Sequence, residues 1–405
     1  MKTLALSFAA TTLFLAQPSF AGVFDVSATM NGVTASESFD NAEDAIKIMN
    51  SSSLNQLYNN YTGVEAVDTS LNFRGIPIQL AYPTTNQTTL TLNIPSIGVS
   101  QSFTGATRDE SQALLEDYLK NNPDLLNKFL KESVKSSPVD PLAGNPNSLM
   151  SKSVVNDANL MWFGSQGIGS ADDNNQFGIG INYSRFVSDQ FGDAKSMSSD
   201  SFSVPLSYSH QFAEPNHELL VNIPLGYTTV EGSKAYDGSI SFIYRRPVLS
   251  NWILSAAGAA RATGSTDLAG GGWMASGALG STFNFGGENW NLTVANMVGY
   301  YKAMKVKYDN TSVDPGISNT AFRNGLLFSM DSNLSIADAP LSWEAFVIDT
   351  RYTGTELFSN YQDEFGITFG TKRSLLSREA DFRVGFTYLI GENVDGFKAN
   401  FGTWF

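Results

Sequence analysis

The chain has no cysteine, only two histidines, and little charge for its 405 residues. Without cysteine there is no disulfide framework, no thiolate metal site and no lipid anchor on a terminal thiol. The two histidines, His210 and His217, leave few candidates for a catalytic base, and their positions read as a headgroup-level and a turn residue. His-Glu-x-x-His, Gly-x-Ser-x-Gly, P-loop and dinucleotide signatures are all missing, so the chain reads as no enzyme and as carrying no cofactor or metal. Past the first twenty residues no apolar run approaches the ~18 residues that a membrane helix needs. Any crossing of a bilayer must therefore use strands. A net charge of -14 sets the chain against nucleic acid, whose phosphates it would repel, and reads as loop solvation.

What is present is aromatic and small: 28 Phe, 15 Tyr, 6 Trp and 35 Gly. Hydrophobicity spread thinly over alternating segments, instead of pooled in long runs, is the writing of barrel strands. At the N-terminus Lys2, the apolar stretch 4–16 and Ser19-Phe20-Ala21 form a signal-peptide pattern, predicting residues 1–21 as leader and Gly22 as the mature start.

Residues 22–105 predict a small α+β domain. Phe24 to Met30 alternates up to the hairpin signal Asn31-Gly32, and a helix opens at Asp40 with Glu43 three residues on. Residues 71–82 and 89–103 read as two further strands around a turn at 83–86. Residues 106–150 predict a helical pair and a Pro-rich linker. Thr107 and Glu110 have capping-box spacing, Asn122-Pro123 restarts a helix, and three prolines follow within 136–150. Residues 151–176 are partly alternating and are expected to be a connector along or inside a barrel, or an extra strand.

From Phe177 to Phe405 the period is two. Twelve alternating segments start near 177, 202, 218, 238, 252, 273, 290, 321, 342, 363, 381 and 397. The predicted fold is thus an all-β transmembrane antiparallel β-barrel of about 12 strands, with 14 as the alternative, behind the α+β domain and the helical pair. Connections are expected to alternate between long ones (187–200, 230–237, 262–272, 302–320, 353–362) and short ones (213–217, 247–251, 285–289, 373–380). Trp252, Trp290 and Trp343 follow short turns and Trp404 ends the last segment, predicting one aromatic girdle at the membrane interface, with Trp273 in the opposite one.

The final strand puts Phe397, Phe401 and Phe405 on one face and ends on an aromatic. This resembles the C-terminal assembly signal of Gram-negative outer-membrane β-barrel proteins. The resemblance implies an outer-membrane location after export, and contact with outer-membrane lipid, lipopolysaccharide and the barrel assembly machinery. The order of leader, N-terminal region, helix and C-terminal barrel of about twelve strands is similar to autotransporters, although the N-terminal region is short and has no β-helical repeat.

Parity places Arg245, Arg261, Arg323, Asp349, Arg351, Glu364, Lys372, Arg383 and Lys398 in the lumen, as pore-lining candidates or as mutual partners filling it. Ser276, Ala278 and Gly280 on the same face leave space or admit an inserted element, for which the helices of 107–135 are the candidate plug. Loop acids such as Asp189 and Asp314 read as solvated, and Lys302, Lys305 and Lys307 as a strand end or a contact for lipopolysaccharide phosphates. The expected function is a pore or gated channel for small solutes. The alternative is an autotransporter-like anchor that displays the N-terminal domain for adhesion.

Overall fold

A computed structural model describes residues 22–164, 174–189, 196–308, 311–336, 339–372 and 382–402. The expected leader, Trp404 and Phe405 lie outside these residues.

The N-terminal region is a six-stranded antiparallel sheet with the order β2-β1-β3-β4-β5-β6. β1 (Phe24–Met30) and β2 (Val33–Phe39) meet at Asn31-Gly32, where both residues have positive φ as a type I′ turn requires. Helix α1 (Ala42–Ile46) is capped by Asn41, one residue after the expected Asp40, because Asn41 accepts from the Asp44 N–H at 2.9 Å. A tight turn at 47–49 breaks it, and Asn50 caps α2 (Ser51–Leu57). The two long strands expected next are each a hairpin. β3 (Val67–Phe73) and β4 (Ile76–Tyr82) join at Arg74-Gly75, and β5 (Leu90–Ile94) and β6 (Val99–Phe103) join through 95–98. Arg74 hides the first turn from sequence reading, since a non-glycine residue at φ +54 carries no turn signature.

Alternate sheet residues such as Val26, Met30, Leu71, Ile78 and Leu92 are buried under the helices. Helix α3 (Arg108–Asn121) starts on the expected Thr107 cap and α4 (Pro123–Ser136) on Asn122, with Pro123 in its first turn. Phe129 of α4 closes the core edge-on against Phe73, at 5.2 Å between ring centres.

The Pro-rich linker expected within 136–150 is packed and not free: residues 137–148 are all buried. They lead into α5 (Leu149–Phe163), capped by Ser148 and stopped by Gly164 at φ +72. Of the connector 151–176, residues 151–163 are therefore helix inside the barrel and not part of a thirteenth strand, and 165–173 lie outside the described residues. Met150, Val154, Ala158 and Met161 recur at helical spacing on its packed side, while the serines between them produce the apparent alternation.

Twelve strands close into one antiparallel barrel. In chain order they are β7 (Asn175–Ser188), β8 (Ser198–Gln211), β9 (Glu218–Val230), β10 (Ser233–Leu249), β11 (Trp252–Ser265), β12 (Gly270–Gly286) and β13 (Trp290–Ala303). After a small loop hairpin, β14 (Val306–Tyr308) and β15 (Thr311–Val313), come β16 (Ser318–Ile336), β17 (Ala339–Gly354), β18 (Tyr361–Thr371), β19 (Arg383–Gly391) and β20 (Val394–Gly402). The seam is β20 against β7, with Ala399 opposite Tyr183 and Phe401 opposite Ile181. Closure leaves no strand edge unpaired, the condition for strands to survive in hydrocarbon. Outward positions are apolar and bare, including Phe177 (64% exposed) and Leu279 (62%). Inward ones mix polar and small residues with apolar ones such as Leu220, Ile243, Met297 and Ile348, which belong to the core around α5.

β7 begins and β20 stops at one end of the barrel, here the near end. The expected contrast in loop length is blunted, because 230–237 is a two-residue turn at Glu231-Gly232 and the far-end connection 392–393 is equally short. The β9–β10 ladder runs on to Val230 opposite Ser233, next to the Glu231-Gly232 turn.

The N-terminal sheet and helices sit on the far end. The Ala42 N–H donates to the Asp267 carbonyl at 3.0 Å, Ser233 Oγ to the Asp40 carbonyl at 2.6 Å, and the Asp314 N–H to Asn127 Oδ1 at 2.7 Å. Met197, Val230, Ala235 and Leu268 at the barrel rim join the core of the N-terminal region.

Inside the barrel, a Cβ at Gly325 would lie 3.0 Å from the Trp162 ring, whereas one at the outward Gly258 would meet nothing within 4 Å. Gly325→Val should therefore cost about 1–3 kcal/mol through overpacking, read as a lower urea midpoint of the refolded barrel, and Gly258→Val should leave the midpoint unchanged.

Candidate functional site

The lumen is the candidate site, and α5 occupies it. The helix enters at the far end, where the Leu149 and Met150 N–H groups bond the Pro141 and Leu142 carbonyls at 2.9 and 3.0 Å. It leaves at the near end, where Arg245 Nε donates to the Met161 carbonyl and Nη2 to the Trp162 carbonyl, both at 3.0 Å. A cation at the last carbonyls of a helix meets the negative end of its dipole. Glu218 neutralises the same guanidinium from across the β9–β10 ladder.

Midway, Asp157 on α5 bonds Arg261 of the wall and accepts from Tyr301 Oη at 3.0 Å. All three are buried. Ser151 meets Tyr352 Oη and Gln362 Nε2, each at 3.4 Å, and Lys152 pairs with Asp237. Arg323 lies over Trp162 at 5.8 Å and pairs with Glu364 at 2.5 Å, while Lys398 takes the other oxygen of Glu364. The small wall residues are where the helix comes closest: a Cβ at Gly280 would meet Met161 at 2.9 Å. On the opposite side a cavity of about 140 Å³ remains, lined by Asn156 and Asn159 of the helix and Asn182, Ser203, Ser239 and Asn400 of the wall.

Of the residues assigned to the lumen, Arg245, Arg261, Arg323, Glu364, Arg383 and Lys398 do face inward, and each is held by a partner. Lys372 bonds Asp331 at 2.6 Å at the near mouth. Asp349 and Arg351 do not line the lumen. They point outward because they share the parity of Trp343 and Val347, while Ser342, Glu344, Ile348, Thr350 and Tyr352 of β17 face in. Charge misleads here: the alternation that sets Trp343 in the girdle also sets Asp349 and Arg351 on the outer face.

The wall arginines were visible in the sequence, but most of their partners were not singled out. Asp157 and Lys152 lay in the segment of unclear type, and Glu218, Asp237 and Glu344 each needed a register to be matched with a cation.

Outside the lumen, Trp252, Trp290 and Trp343 stand at the near ends of β11, β13 and β17, with Trp252 stacked on Phe283 at 5.3 Å. Trp273 stands near the far end of β12 and donates to the Lys305 carbonyl at 3.1 Å. Phe397 and Phe401 lie on the outward face, Phe397 against Phe386. His210 and His217 border the near-end turn, bonded to Asn175 and Tyr244.

An even number of antiparallel strands, an apolar outside, a polar inside and aromatic residues at both rims define the class. The fold is an outer-membrane-type β-barrel. No protein-family model matches the chain, and no curated protein does. Among solved structures it is similar to the β domain of the Bordetella autotransporter Brka, at 13% identity and a TM-score of 0.41, over 57% of this chain and 98% of that one. It is also similar to the translocator domain of the autotransporter NalP from Neisseria meningitidis, at 8% identity and a TM-score of 0.37, over 57% and 87%. An outer membrane channel from Pseudomonas putida F1 matches at 11% identity and a TM-score of 0.35, over 58% and 100%. These likenesses concern the barrel.

A second fixed point lies in the neck above the lumen. Arg74, at the tip of the β3–β4 hairpin, is fully buried against Asp140 at 3.3 Å and Ser133 at 3.2 Å. Asp140 also accepts from the Leu142 and Ala143 N–H groups at 2.9 and 3.2 Å. Burial raises its carboxyl above the usual range, and Arg74 and these two N–H groups pull it down.

Two outcomes follow from these buried charges. Arg261→Leu strands Asp157 in the wall contact and should cost about 3–5 kcal/mol, measured by thermal unfolding in micelles. Arg74→Met removes the cation that favours ionised Asp140, so its folded pKa rises further above the unfolded value. The stability that this carboxyl contributes is then full at low pH and is lost as pH rises through its folded pKa. Proteolysis of the neck in Arg74→Met should accordingly be faster at pH 8 than at pH 5, with the native chain showing a smaller difference.

Proposed function

We propose that this chain is an outer-membrane anchor that holds its own N-terminal domain at the cell surface, with the barrel as the transmembrane part and α5 as the thread through it. The observation that carries this reading is the direction of α5. It runs from the N-terminal domain at the far end to the near end, where both barrel termini lie. Single-chain outer-membrane barrels are read with their termini and short turns on the periplasmic side, which places the far end outside. A helix that fills the lumen and is bonded to the wall along its length favours anchoring over an open pore for solutes.

The β3–β4 turn, the neck and α5 together make the attachment, and no catalytic group is assigned to any of them. Surroundings of this kind are outer-membrane lipid and lipopolysaccharide, reached through the barrel assembly machinery during insertion. The cavity beside α5 supports a second reading, a narrow leak for water and small ions, since amides, hydroxyls and the charged Lys152, Asp237 and Lys398 stand in its lining beside apolar residues such as Leu149, Val155 and Phe186.

A protease site inserted at the exposed Asn31-Gly32 turn separates display from a periplasmic domain. Cleavage in intact cells is the expected result. Cleavage only after the outer membrane is opened would overturn display and return the barrel to a channel role.

A further inference from the structure

The charges inside the barrel do not balance. Among the described residues, five lumenal cations each have a carboxylate of their own: Lys152 has Asp237, Arg245 has Glu218, Arg261 has Asp157, Lys372 has Asp331 and Arg383 has Glu344. Glu364 alone serves two, Arg323 and Lys398, so this group carries one positive charge in surplus. A cation without an anion of its own is costly inside a wall surrounded by hydrocarbon, because packed side chains do not replace the water it has lost.

The surplus falls on Lys398. Arg323 and Glu364 are closed off, with 1% and 3% of their side chains exposed, and Arg323 donates a second bond to Thr350 Oγ1 at 2.6 Å. Lys398 keeps 20% of its side chain open and lines the cavity beside α5. Glu364 takes one of its three ammonium donors, and the other two are left for whatever the cavity holds.

The rest of the lining offers donors and no free carboxylate. Asn400 stands two residues beyond Lys398 on the same inner face, opposite Asn182 across the seam, and its amide has no partner among the described residues. Asn159 of α5 and Ser239 of β10 also line the cavity without a side-chain hydrogen bond, and Asn156 Nδ2 has none either. Asp237, the one carboxylate in the lining, is held by Lys152. These same two residues border a smaller space under the neck, which continues the path toward the far end. A water needs only ~10–15 Å³ of such a cavity, so the 140 Å³ here admits a small ion with part of its hydration.

We propose that this cavity is a binding site for a small monovalent anion, a halide or a short carboxylate such as formate. Lys398 is its counter-charge, and the amides of Asn156, Asn159 and Asn400 are its further donors. The surplus of one charge sets the valence, since a dianion would leave a negative charge unpaired where the cation had been. Binding needs no conduction and is the same whichever end of the barrel faces outward, so the site stands apart from both the display and the leak readings.

The test is the linewidth of the chloride NMR signal over the full chain refolded in uncharged micelles, with heat-modifiable migration confirming a folded barrel in each variant. The expected result is a saturable excess broadening, displaced by formate and lost in Lys398→Met, which leaves Arg323 and Glu364 as a neutral pair. Lys398→Arg should retain it. Ser184→Asp, which sets a carboxylate of the wall directly opposite Lys398, should abolish it as Lys398→Met does; either folded variant suffices for the comparison. Undiminished broadening in the folded Lys398→Met or Ser184→Asp barrel would overturn the proposal and assign the chloride to surface lysines. No saturable broadening by the native chain would overturn it too, leaving a cavity filled by water. Displacement by sulfate in preference to formate would overturn the monovalent class.

Discussion

Everything in this molecule depends on the meeting of β20 with β7. In hydrocarbon an unpaired N–H or C=O has no water to turn to, so a sheet either closes or does not cross. Closure fixes the strand number, and with it a lumen wide enough to hold one helix and no more than a crevice beside it. Once closed, the wall can turn apolar side chains out toward lipid and hold α5 with those on its inner face.

Those demands explain the inner surface better than conduction does. The glycines face the helix where it comes nearest, Arg245 stands where its dipole is negative, and Arg261 stands opposite its one central carboxylate. Buried ion pairs add little net stability when compared with well-packed apolar groups. Their effect here is register: Asp157 can meet Arg261 and Tyr301 at one height and one rotation of the helix only. The Arg74–Asp140 pair does the same for the N-terminal domain, fixing how its hairpin sits on the neck.

The barrel was legible because period-2 alternation is local, and closure needs only an even set of such strands. Eleven residues of β12, from Trp273 to Phe283, show this: their inward and outward faces follow from order alone. The site was less legible because its determinants are not local. The α5 stripe is diluted by Ser151, Ser153 and Asn156, which bond the wall or line the crevice, so the helix writes a mixed pattern. β17 is a different case, since the parity of Trp343 already places Asp349 and Arg351 outward and only their charge argues for the lumen. Residues 136–150 look like a linker by composition, yet Asn145 bonds the Asp140 carbonyl, Asn147 bonds the Ser199 carbonyl of the rim, and 137–148 are all buried.

The path of α5 has a mechanical consequence. A folded domain caps one mouth, a single strand of chain passes through the ring, and the ring is made of that same chain's other half. The arrangement is that of a bead on a thread knotted outside the hole, with the six-stranded sheet as the knot. Pulling on the domain loads the ladder of α5 contacts in shear along the axis, many weak bonds at once, and never peels them singly. Retraction into the barrel is barred for as long as the sheet stays folded, so the stability of that small domain, and not the affinity of any contact, sets how long the thread stays in place.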